Sequence, residues 1–598
     1  MEKININIEG HIYSVDKSLT VLEAARQCGY KIPTLCYWNK GHNSLASCRV
    51  CLVEIRTSRG GKLFASCVYP VSDIPAEKGF EIWISSPMAT DARRASVELL
   101  LSNHSKECQT CLKNKDCELL NCARITGAET GKYEGEKTPT TLDELAPGLI
   151  RDTSKCILCG RCIERCKEAT GIGILGFENR GFKTIVSPLN NRSFSKVPCI
   201  QCGQCVNVCP TGALTEHDEI SKVDKAMKDG KFVVVQTAPA VRAAISEEFG
   251  HPVGEENGEG KMVAALHRLG FQRVFDVNFG ADLTICEESQ ELINRITKKT
   301  GPLPQITSCS PGWVNYLEFF HPNLIPHLST CKSPHEMQGA ITKSYFAEKH
   351  HLNPEDIYVV SIMPCLAKKY EKERKANAVN GIQDVDAVLT TRELARLIKR
   401  SGIIYDELPA EKFDNDLLGE YTGAAALFGV TGGVMEAALR TAYHTLTGKE
   451  YAKVDFKEVR GFEGVKHADI DIDGTIVKVA VASGTKNAEP LLKEIEEGKS
   501  PYTFIEIMGC PGGCLNGGGQ PFIKPSMMEK GDQDILETYL QKRANILYSI
   551  DEKKEVRQSH NNPDVIRLYK DYLGEYGSEK AEELLHTSYD AERERFPK

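Results

Sequence analysis

The sequence predicts a multidomain protein in which small α+β modules precede a large α/β domain. Its 598 residues exceed what a single hydrophobic core organises, so several domains are expected. Cysteines gather in tight clusters up to Cys209, whereas apolar β-rich segments alternate with helix-like stretches after about residue 225. We expect five units, which span residues 1–80, 81–135, 140–220, 225–530 and 531–598.

The composition excludes several classes of protein. Hydrophobic residues make up 41% and charged residues 26%, as in soluble globular proteins. The formal net charge of −8 and the lack of a basic block argue against a nucleic-acid partner. No apolar run approaches the ~20 residues that span a bilayer, and the first residues do not resemble a signal peptide. We therefore expect a cytoplasmic protein without membrane insertion.

The 23 cysteines are the most informative feature of the composition. Their density is too low for a small disulfide scaffold, and many stand in close Cys-x2-Cys spacings. Disulfides are the alternative, which the lack of an export signal disfavours. Such spacings are typical of thiolates that converge on one metal centre.

The first cysteine cluster lies in CYWNKGHNSLASCRVC and a later ASC. Two ligands on one short turn, with one before and one after, can wrap a [2Fe–2S] cluster, although the first gap of eleven residues differs from plant-type spacing. Zinc is the alternative. The strand-like KININIEG, HIYSVD, CLVEIR and FEIWIS and the helix-like SLTVLEAARQCG predict a β-grasp ferredoxin module. The candidate ligands are Cys36, Cys48, Cys51 and Cys67.

The second cluster, HSKECQTCLKNKDC, combines a histidine with three cysteines. Imidazole and thiolate also suit zinc, and a core histidine beside unrelated cysteines is a further alternative. Its position between two expected iron–sulfur modules favours a His-ligated [4Fe–4S] cluster. The candidate ligands are His104, Cys108, Cys111 and Cys117.

The third and fourth clusters form an internal repeat, CILCGRCIERC and CIQCGQCVNVCP. Each reads C-x2-C-x2-C-x3-C, the bacterial ferredoxin run, in which the fourth cysteine ligates the other cluster. In the first run, Lys167 takes the place of the usual proline after the last cysteine, and this difference removes no ligand. The expected ligand sets are Cys156, Cys159, Cys162 and Cys209 for one [4Fe–4S] cluster, and Cys199, Cys202, Cys205 and Cys166 for the other.

Four one-electron centres in succession would conduct electrons through the protein. Such a chain of centres implies a redox reaction at one end and an electron partner at the other. Four cysteines fall outside every expected metal site and are interpreted as packed thiols. They are Cys28, Cys122, Cys286 and Cys331.

The last large unit has the pattern of an α/β domain. The segments KFVVVQTAP, RVFDVNFG, DIYVVSIMPC and TFIEIMGC are apolar and β-rich, and they alternate with the helix-like DLTICEESQELINRI, GAITKSYFAEKH and TTRELARLIKR. This pattern predicts buried parallel strands with ligand sites at their carboxyl ends. Short turns carry four cysteines that can converge on one further cluster, namely Cys309, Cys365, Cys510 and Cys514.

These turns read TSCSPGW, MPCLAKKYE and EIMGCPGGCLNGGGQP. Together they resemble the three active-site signatures of the [FeFe]-hydrogenases. The resemblance covers nearly the whole chain, because the larger clostridial-type enzymes and the hydrogen-activating subunits of NAD(P)-linked complexes have the same order of accessory clusters. It implies the reaction 2H⁺ + 2e⁻ ⇌ H2 at an H-cluster, a [4Fe–4S] unit bridged through cysteine to a two-iron site with CO, cyanide and azadithiolate.

The resemblance also assigns roles around the H-cluster. Cys514 would carry the bridging thiolate, with Cys365 and Cys510 as further ligands of the [4Fe–4S] cubane. Lys368 would donate a hydrogen bond to a cyanide, for which an ammonium group is a strong donor. The other residues expected at the two-iron site are Met363, Met508, Pro239 and Ala240.

The family moves protons along a path of side chains that starts at a cysteine thiol and ends near an arginine. Two glutamates of this path stand at i and i+3 in EESQE, so they share one helix face. Without the resemblance, a solvated acidic helix face is the alternative. The corresponding residues are Cys309, Glu288, Ser329, Glu291 and Arg295.

The first signature departs from the family pattern at Ser310. Familiar members read TSCCP, where the first cysteine is the proton donor and the second a cubane ligand. Either Cys309 becomes the cubane ligand and the relay is lost or replaced by Ser310, or Cys309 stays the relay and Ser310 is a weak or absent ligand. Hydroxyls suit this iron less well than thiolates, which favours the first alternative.

Two further features accompany the signatures. His335 stands where clostridial-type enzymes commonly have a glutamine near the cluster, and its imidazole either adjusts a hydrogen bond or is simply packed. The segment VRQSHNNPDVIRLYKDYLGEYGSEKAEELLHTSY has helical spacing. It resembles a small subunit that wraps the main domain in some relatives, and its expected role is structural.

The electron partner and the competing functions complete the sequence-based expectations. No glycine-rich dinucleotide fingerprint stands in a strand–turn–helix context, so NAD(P) or flavin would need another subunit. Ferredoxin or flavodoxin is the partner expected of a free-standing enzyme, and maturation proteins would supply the two-iron site. A non-catalytic iron–sulfur assembly relative and a weakly active H2 sensor are the alternatives. The presence of Lys368, Met363 and Met508 and the lack of a signalling domain favour catalysis.

Overall fold

The computed structural model describes residues 2–39, 45–450, 455–472, 474–527 and 534–597. It confirms the multidomain α+β and α/β architecture that the sequence predicts. The expected boundary between residues 530 and 531 lies outside the described residues. No helix in the described part of the chain is long and apolar enough to cross a lipid bilayer.

The amino-terminal unit is a five-stranded sheet with one helix packed on it, which is the predicted β-grasp arrangement. Lys3–Ile8 pairs in parallel with Glu81–Trp83, and the other neighbours are antiparallel. Helix Val21–Gln27 begins with a capping box between Thr20 and Glu23. The strand order is His11–Asp16, Lys3–Ile8, Glu81–Trp83, Leu52–Thr57 and Gly60–Ala65.

The next two units carry the remaining clustered cysteines of the amino-terminal half. In the internal repeat, each helix follows a glycine at positive φ, which is 77° at Gly160 and 74° at Gly203. The helices are Pro87–Asn103, Glu118–Thr126, Arg161–Thr170 and Gln204–Val208. The strands are Leu142–Asp143, Leu149–Asp152 and Leu214–Glu216 in one sheet, and Gly176–Glu178 with Ile185–Ser187 in a hairpin.

Two four-stranded sheets form the large domain. The first is entirely parallel, so all its carboxyl ends meet at one edge. In the second, only the pair of Thr475–Ser483 with Val465–Ile472 is antiparallel. The first has the order Arg273–Asp276, Phe232–Thr237, Ile357–Met363 and Ala387–Thr390. The second has the order Gln305–Ile306, Phe504–Met508, Thr475–Ser483 and Val465–Ile472.

Helices connect these strands and form most of the carboxyl-terminal segment. Residues 342–346 and 569–573 are single π-helical turns between α-helices, and Ala378–Val379 pairs with Ile382–Gln383 in a small hairpin. The α-helices are Ile220–Lys228, Pro239–Arg242, Glu259–Arg268, Val277–Thr297, Pro311–Phe320, Pro334–Ile341, Ala347–Lys349, Ala367–Glu371, Thr391–Arg400, Gly423–Ala426, Gly433–Thr447, Thr485–Glu496, Ile535–Lys553, Pro563–Leu568 and Glu579–Leu585.

One strand is shorter than the sequence predicts. The segment RVFDVNFG is predicted as a strand, but the strand ends at Asp276 and helix Val277–Thr297 starts at the next residue. The Asp276 carboxylate accepts the backbone N–H of Asn278 at 3.0 Å, which caps the helix. It also accepts a hydrogen bond from Arg242 at 2.6 Å. This cap sets the start of the 21-residue helix. The helix carries Glu288 and Glu291, the two glutamates of the predicted proton path.

Candidate active site

An internal cavity lies where the carboxyl ends of the two large sheets meet. The loops after strands Phe232–Thr237, Ile357–Met363 and Phe504–Met508 all reach it, and the space between its walls, part of it open to solvent, is about 750 Å³. The wall is mainly apolar, so the few polar groups on it are distinctive. Its predicted site residues are Cys309, Ser310, Cys365, Cys510, Cys514, Pro239, Ala240, Met363, Met508, Lys368 and His335.

Glycines bring the two-cysteine turn close to its neighbours. Gly513 has a φ of 77°, and a Cβ at this position would lie 2.8 Å from the backbone nitrogen of Thr431. A Cβ on Gly517 would lie 2.1 Å from the carbonyl oxygen of Pro364. Backbone contacts this close admit no side chain, so glycine on either side of Cys514 fixes where its thiol stands.

The side chains of Cys309 and Ser310 have different neighbours. The Ser310 hydroxyl accepts the backbone N–H of Gly509 at 3.0 Å, next to Cys510. Burial, and then the charge of Glu288, raise the pKa of the Cys309 thiol well above its usual value. The Ser310 hydroxyl therefore faces the Gly509–Cys510 turn, and the Cys309 thiol lies within electrostatic range of Glu288.

Lys368 and His335 share one carboxylate beside the cavity. Lys368 Nζ donates to Glu371 Oε2 at 2.6 Å, and His335 Nε2 lies 2.7 Å from the same oxygen. Burial alone would raise the pKa of Glu371, but Lys368 and His335 lower it to about 2. Burial and Lys368 oppose a charge on His335, yet Glu336 and Glu371 raise its pKa. The Glu371 carboxylate therefore joins the Lys368 ammonium group to the His335 imidazole at the cavity wall.

The predicted proton-path residues lie on and beside helix Val277–Thr297. Ser329 Oγ donates to Glu291 Oε2 at 2.7 Å, and Arg295 Nη2 donates to Glu291 Oε1 at 2.6 Å. Glu288 is buried, and its Oε2 has no hydrogen-bond partner among the described residues. Burial, and then the charge of Glu291, raise the pKa of Glu288 to about 8, against a hydrogen bond with Ser329. Glu288 is therefore mostly protonated at neutral pH.

Two smaller cavities bring together the cysteines of the internal repeat in the crossed arrangement. In each cavity the fourth cysteine comes from the opposite run. The charge of Cys202 is among the causes, after burial, that raise the pKa of Cys510, so the second cavity adjoins the large one. The first cavity is lined by Cys156, Cys159, Cys162 and Cys209, and the second by Cys166, Cys199, Cys202 and Cys205.

The first two predicted ligand sets also occupy suitable surroundings. Hydrogen bonds with Cys48 and Cys67 lower the pKa of Cys36 to about 2, so the thiols of the first set touch one another. His104 is buried, its Nδ1 has no hydrogen-bond partner among the described residues, and burial lowers its pKa to about 4. A neutral imidazole is the form that binds a metal. Beside it, Cys111 and Cys117 are half-buried and Cys108 is exposed.

The donor groups fit iron–sulfur centres. Burial raises the pKa of Cys514 to about 12 and that of Cys510 well above its usual value. A thiolate at either position therefore needs a cation bonded to its sulfur. Groups of four cysteines, or three with one histidine, suit iron–sulfur clusters, and the large cavity leaves space beyond its cysteines for a further group.

Three polar residues of the site were not predicted. Glu371 joins Lys368 to His335, and Glu506 accepts the N–H of Gly432 at 2.7 Å to hold a loop beside the cavity. Both glutamates stand inside the quoted signatures, so their spacing was the available signal. Tyr589 donates to the carbonyl oxygen of Ser329 at 2.6 Å, a contact across 260 residues without a sequence signal.

Protein-family models match this chain in five successive parts. They identify an iron–sulfur oxidoreductase of the class that acts on H2. The matches are a 2Fe-2S iron–sulfur cluster binding domain (1–74), the NADH-ubiquinone oxidoreductase-G iron–sulfur binding region (93–131), the ferredoxin-like domain of NADH-quinone oxidoreductase subunit 3 (147–215), the C-terminal domain of the iron-only hydrogenase large subunit (231–518) and the iron hydrogenase small subunit (537–592).

Individual relatives narrow this class to one family. The chain is 45% identical to the NADP-reducing hydrogenase subunit HndD of Solidesulfovibrio fructosivorans over 98% of this chain and 99% of that one. It is 38% identical to iron hydrogenase 1 of Clostridium pasteurianum, again over 98% and 99%. An apo [FeFe]-hydrogenase structure from Chlamydomonas reinhardtii matches with a TM-score of 0.54 and 41% identity, covering 62% of this chain and 98% of that one. The chain belongs to the [FeFe]-hydrogenase family.

Proposed function

We propose that this chain interconverts H2 with two protons and two electrons at an H-cluster in the large cavity. The observation that carries the proposal is the convergence, in one buried space, of the cysteines of all three signatures with the ammonium group of Lys368. The carboxyl of Glu288, which is mostly protonated and has an Oε2 without a hydrogen-bond partner among the described residues, stands near Cys309 of this space. A cavity that offers thiolates, a fixed cation and a mobile proton suits heterolytic chemistry of H2.

When bound, the H-cluster supplies the iron at which H2 forms or splits. We infer that Cys365, Cys510 and Cys514 hold it, with Cys514 as the bridge. Lys368, which Glu371 holds in place, would donate to a cyanide of the cluster. The cavity-lining residues that would pack around the two-iron part are Met363, Met508, Pro239 and Ala240.

Electrons reach this site through one [2Fe–2S] and three [4Fe–4S] clusters, which lie in the first three of the five units expected from the sequence. The crossed cysteine sets in the two smaller cavities support the ferredoxin pair. The proximity of Cys202 to Cys510 supports the last step of the electron path.

Protons move between the cavity and the surface through side chains of helix Val277–Thr297. Glu288 holds a proton at neutral pH because burial raises its pKa to about 8. Ser329 stands between the two glutamates, since it donates to Glu291 and hydrogen-bonds Glu288. Arg295 holds the outer carboxylate at 2.6 Å. The contacts of Ser329 and Arg295 with Glu291 are within the reach that general acid–base transfer requires.

For Cys309, the contacts support the second of the two alternatives. Glu288 is the largest charged influence on its thiol after burial, which suits a proton relay. The Ser310 hydroxyl faces the Gly509–Cys510 turn, where the fourth cubane ligand of familiar members would stand. We therefore propose that Cys309 passes protons and that Ser310 occupies the ligand position.

The electron partner is a second subunit that handles NADP. The full-length match to a subunit of an NADP-reducing hydrogenase supports this choice over a free-standing enzyme served by ferredoxin or flavodoxin. We place the complex in the cytoplasm, and dedicated maturation proteins supply the two-iron part of the H-cluster.

Infrared spectroscopy of the matured protein tests the function. We expect CO and CN stretching bands together with H2 evolution from a reduced donor. The absence of these bands after competent maturation would favour an iron–sulfur assembly role. Bands with very slow turnover would favour an H2 sensor.

A pair of substitutions tests the role of Cys309. We expect Cys309→Ala to lower turnover by about 10²-fold or more, because general acid–base steps contribute about 10²–10⁴-fold. The iron content and the electron paramagnetic resonance of the cubane should not change. Ser310→Ala keeps the Cys309 thiol, so proton transfer should continue, and any effect should appear in the electron paramagnetic resonance of the cubane. Loss of cubane iron in Cys309→Ala alone would instead identify Cys309 as a cubane ligand.

A further inference from the structure

Two histidines and one glutamate converge at a place that hydrogen chemistry does not use. His444 lies in the last turn of helix Gly433–Thr447, Glu450 follows that helix, and His560 belongs to the carboxyl-terminal segment. One ligand atom of each residue lies within 4.8 Å of the other two. His560 stands 110 residues after Glu450 in the chain, so its meeting with His444 and Glu450 is a product of the fold.

The distances within this group match those around a bound zinc ion. His444 Nδ1 and His560 Nε2 each lie 3.2 Å from the same oxygen, Glu450 Oε1. Zinc binds imidazole nitrogen and carboxylate oxygen at about 2.0–2.2 Å, so two donors at a tetrahedral angle stand about 3.3 Å apart. Both nitrogen–oxygen separations are therefore those of donors that share one cation.

Neighbouring residues orient both imidazoles as ligands. His560 is buried, its Nδ1 lies 3.2 Å from Thr441 Oγ1, and its Nε2 faces Glu450 Oε1, so Nε2 is the nitrogen that it offers to a metal. His444 Nδ1 is buried and has no well-oriented hydrogen-bond partner among the described residues. Asn561 donates to Glu450 Oε1 at 3.2 Å and so helps to fix the carboxylate. A buried nitrogen without a hydrogen bond, aimed at an oriented carboxylate, is costly unless a cation satisfies it.

The charge balance separates this group from two other clusters of potential ligands. Among the described residues, Glu450 forms ion pairs with His444 and His560 and with no lysine or arginine. The other two clusters already hold cations. Glu436, Asp455 and Asp551 pair with Arg440, Arg460 and Arg557, and His335, Glu336 and Glu371 adjoin Lys368.

We propose that His444, Glu450 and His560 bind one zinc-class divalent cation, whose fourth position is open to water. Two imidazoles and a carboxylate are a common zinc donor set. The cation links helix Gly433–Thr447 of the large domain to the carboxyl-terminal segment. Its binding is independent of the H-cluster, so it persists in protein that lacks the two-iron part.

Zinc binding by the full chain, loaded with its iron–sulfur clusters, tests this site. The protein is first freed of loose metal with a chelator and is then titrated with Zn²⁺ against a chromogenic competitor. We expect one more equivalent of zinc in the unsubstituted protein than in His444→Ala or Glu450→Gln. His467→Ala is the matched control, because His467 is an exposed histidine that stacks on Tyr502 outside the group. Iron content is measured in every sample, so that zinc at vacant cysteines is recognised.

Thermal unfolding gives a second measurement. Zinc should raise the unfolding temperature of the unsubstituted protein and of His467→Ala, because a ligand that binds only the folded state stabilises it. His444→Ala should show no such rise. Its side chain is 39% exposed, which favours correct folding of the variant. Equal zinc binding by His444→Ala and the unsubstituted protein, or no binding by either, would overturn the proposal.

Discussion

At the scale of single residues, burial decides which protonation state Glu288 adopts. Its pKa of about 8 exceeds the ~4.3 of an exposed glutamate. The folded state therefore binds this proton more tightly than the unfolded state does. The stability linked to this proton is fully present below pH ~4.3 and is lost as the pH rises through about 8.

Replacing Glu288 by glutamine tests both its role in proton transfer and its pH-dependent contribution to stability. An amide cannot release a proton, so Glu288→Gln should lower H2 turnover by about 10²-fold or more. The variant should also lose less thermal stability than the unsubstituted protein between about pH 5 and pH 9. Gln290→Ala, on the same helix, is the control and should resemble the unsubstituted protein in both assays. Undiminished turnover in Glu288→Gln would mean that protons travel elsewhere.

The shared carboxylate of Glu371 is the second residue-scale case. Glu371→Gln removes the carboxylate partner of the buried Lys368 and one of the two carboxylates beside His335, and breaking a buried pair in this way costs about 3–5 kcal/mol. We expect a clear fall in the unfolding temperature of the catalytic domain. The exposed Glu373→Gln is the matched control, with an expected cost under about 1 kcal/mol. The pKa of Glu371 is about 2, so its contribution to stability is present above pH ~4.3 and lost as the pH falls through about 2.

At the scale of elements, helix Val277–Thr297 connects the cavity to the carboxyl-terminal segment. Glu287 of this helix receives hydrogen bonds from the Tyr569 hydroxyl and from the N–H of Gly577, at 3.0 Å in the second case. His586 Nε2 lies 3.3 Å from the same carboxylate. The buried side chain of Glu287 therefore anchors three parts of the carboxyl-terminal segment. Tyr589 of the same segment contacts Ser329.

Removing this anchor should loosen the segment without touching the cavity. In Glu287→Ala we expect faster hydrogen–deuterium exchange in residues 563–590, measured by mass spectrometry, because three contacts of one carboxylate are lost together. Exchange in strand Ile357–Met363 should not change. Gln290→Ala keeps the anchor and should exchange like the unsubstituted protein. Equal exchange in both variants would show that other contacts hold the segment.

The elements also show which parts of the fold were predictable. Apolar runs predicted the central parallel strands, because fully buried strands need apolar side chains on both faces. The start of helix Val277–Thr297 was missed, since the Asp276 cap overrides the β-rich composition of RVFDVNFG. Strand Gly60–Ala65 had no prediction, because it pairs with Leu52–Thr57 through a hairpin without apolar alternation.

The candidate site likewise has a part that the sequence predicted and a part that it did not. Its cysteines were predictable, since ligand spacing is local and survives in short motifs. The contact of Glu371 with His335 spans 36 residues and that of Tyr589 with Ser329 spans 260, and no local pattern encodes such partners. The neighbours that distinguish Cys309 from Ser310 likewise come from distant strands and helices.

At the scale of the whole molecule, Arg161 joins three of the iron–sulfur units. It is fully buried and forms two hydrogen bonds with Glu118, at 2.7 and 2.9 Å, next to Cys117. It also donates to the carbonyl oxygen of Tyr37, at 2.9 Å, next to Cys36. One guanidinium therefore holds residues beside three expected clusters in fixed relative positions, which electron transfer between them requires.

Arg161→Met should separate these units while leaving each of them folded. Methionine fills a similar volume but leaves Glu118 unpaired, and loss of one partner from a buried ion pair costs about 3–5 kcal/mol. We expect faster hydrogen–deuterium exchange around residues 34–38 and 117–120, and slower H2 evolution with electrons from a protein partner. Evolution driven by a small viologen dye that reaches the inner clusters should be less affected. Arg124→Met, an exposed position on helix Glu118–Thr126, is the matched control. If both variants behave alike, the units are held together by their remaining contacts, and Arg161 does not set the spacing of the clusters.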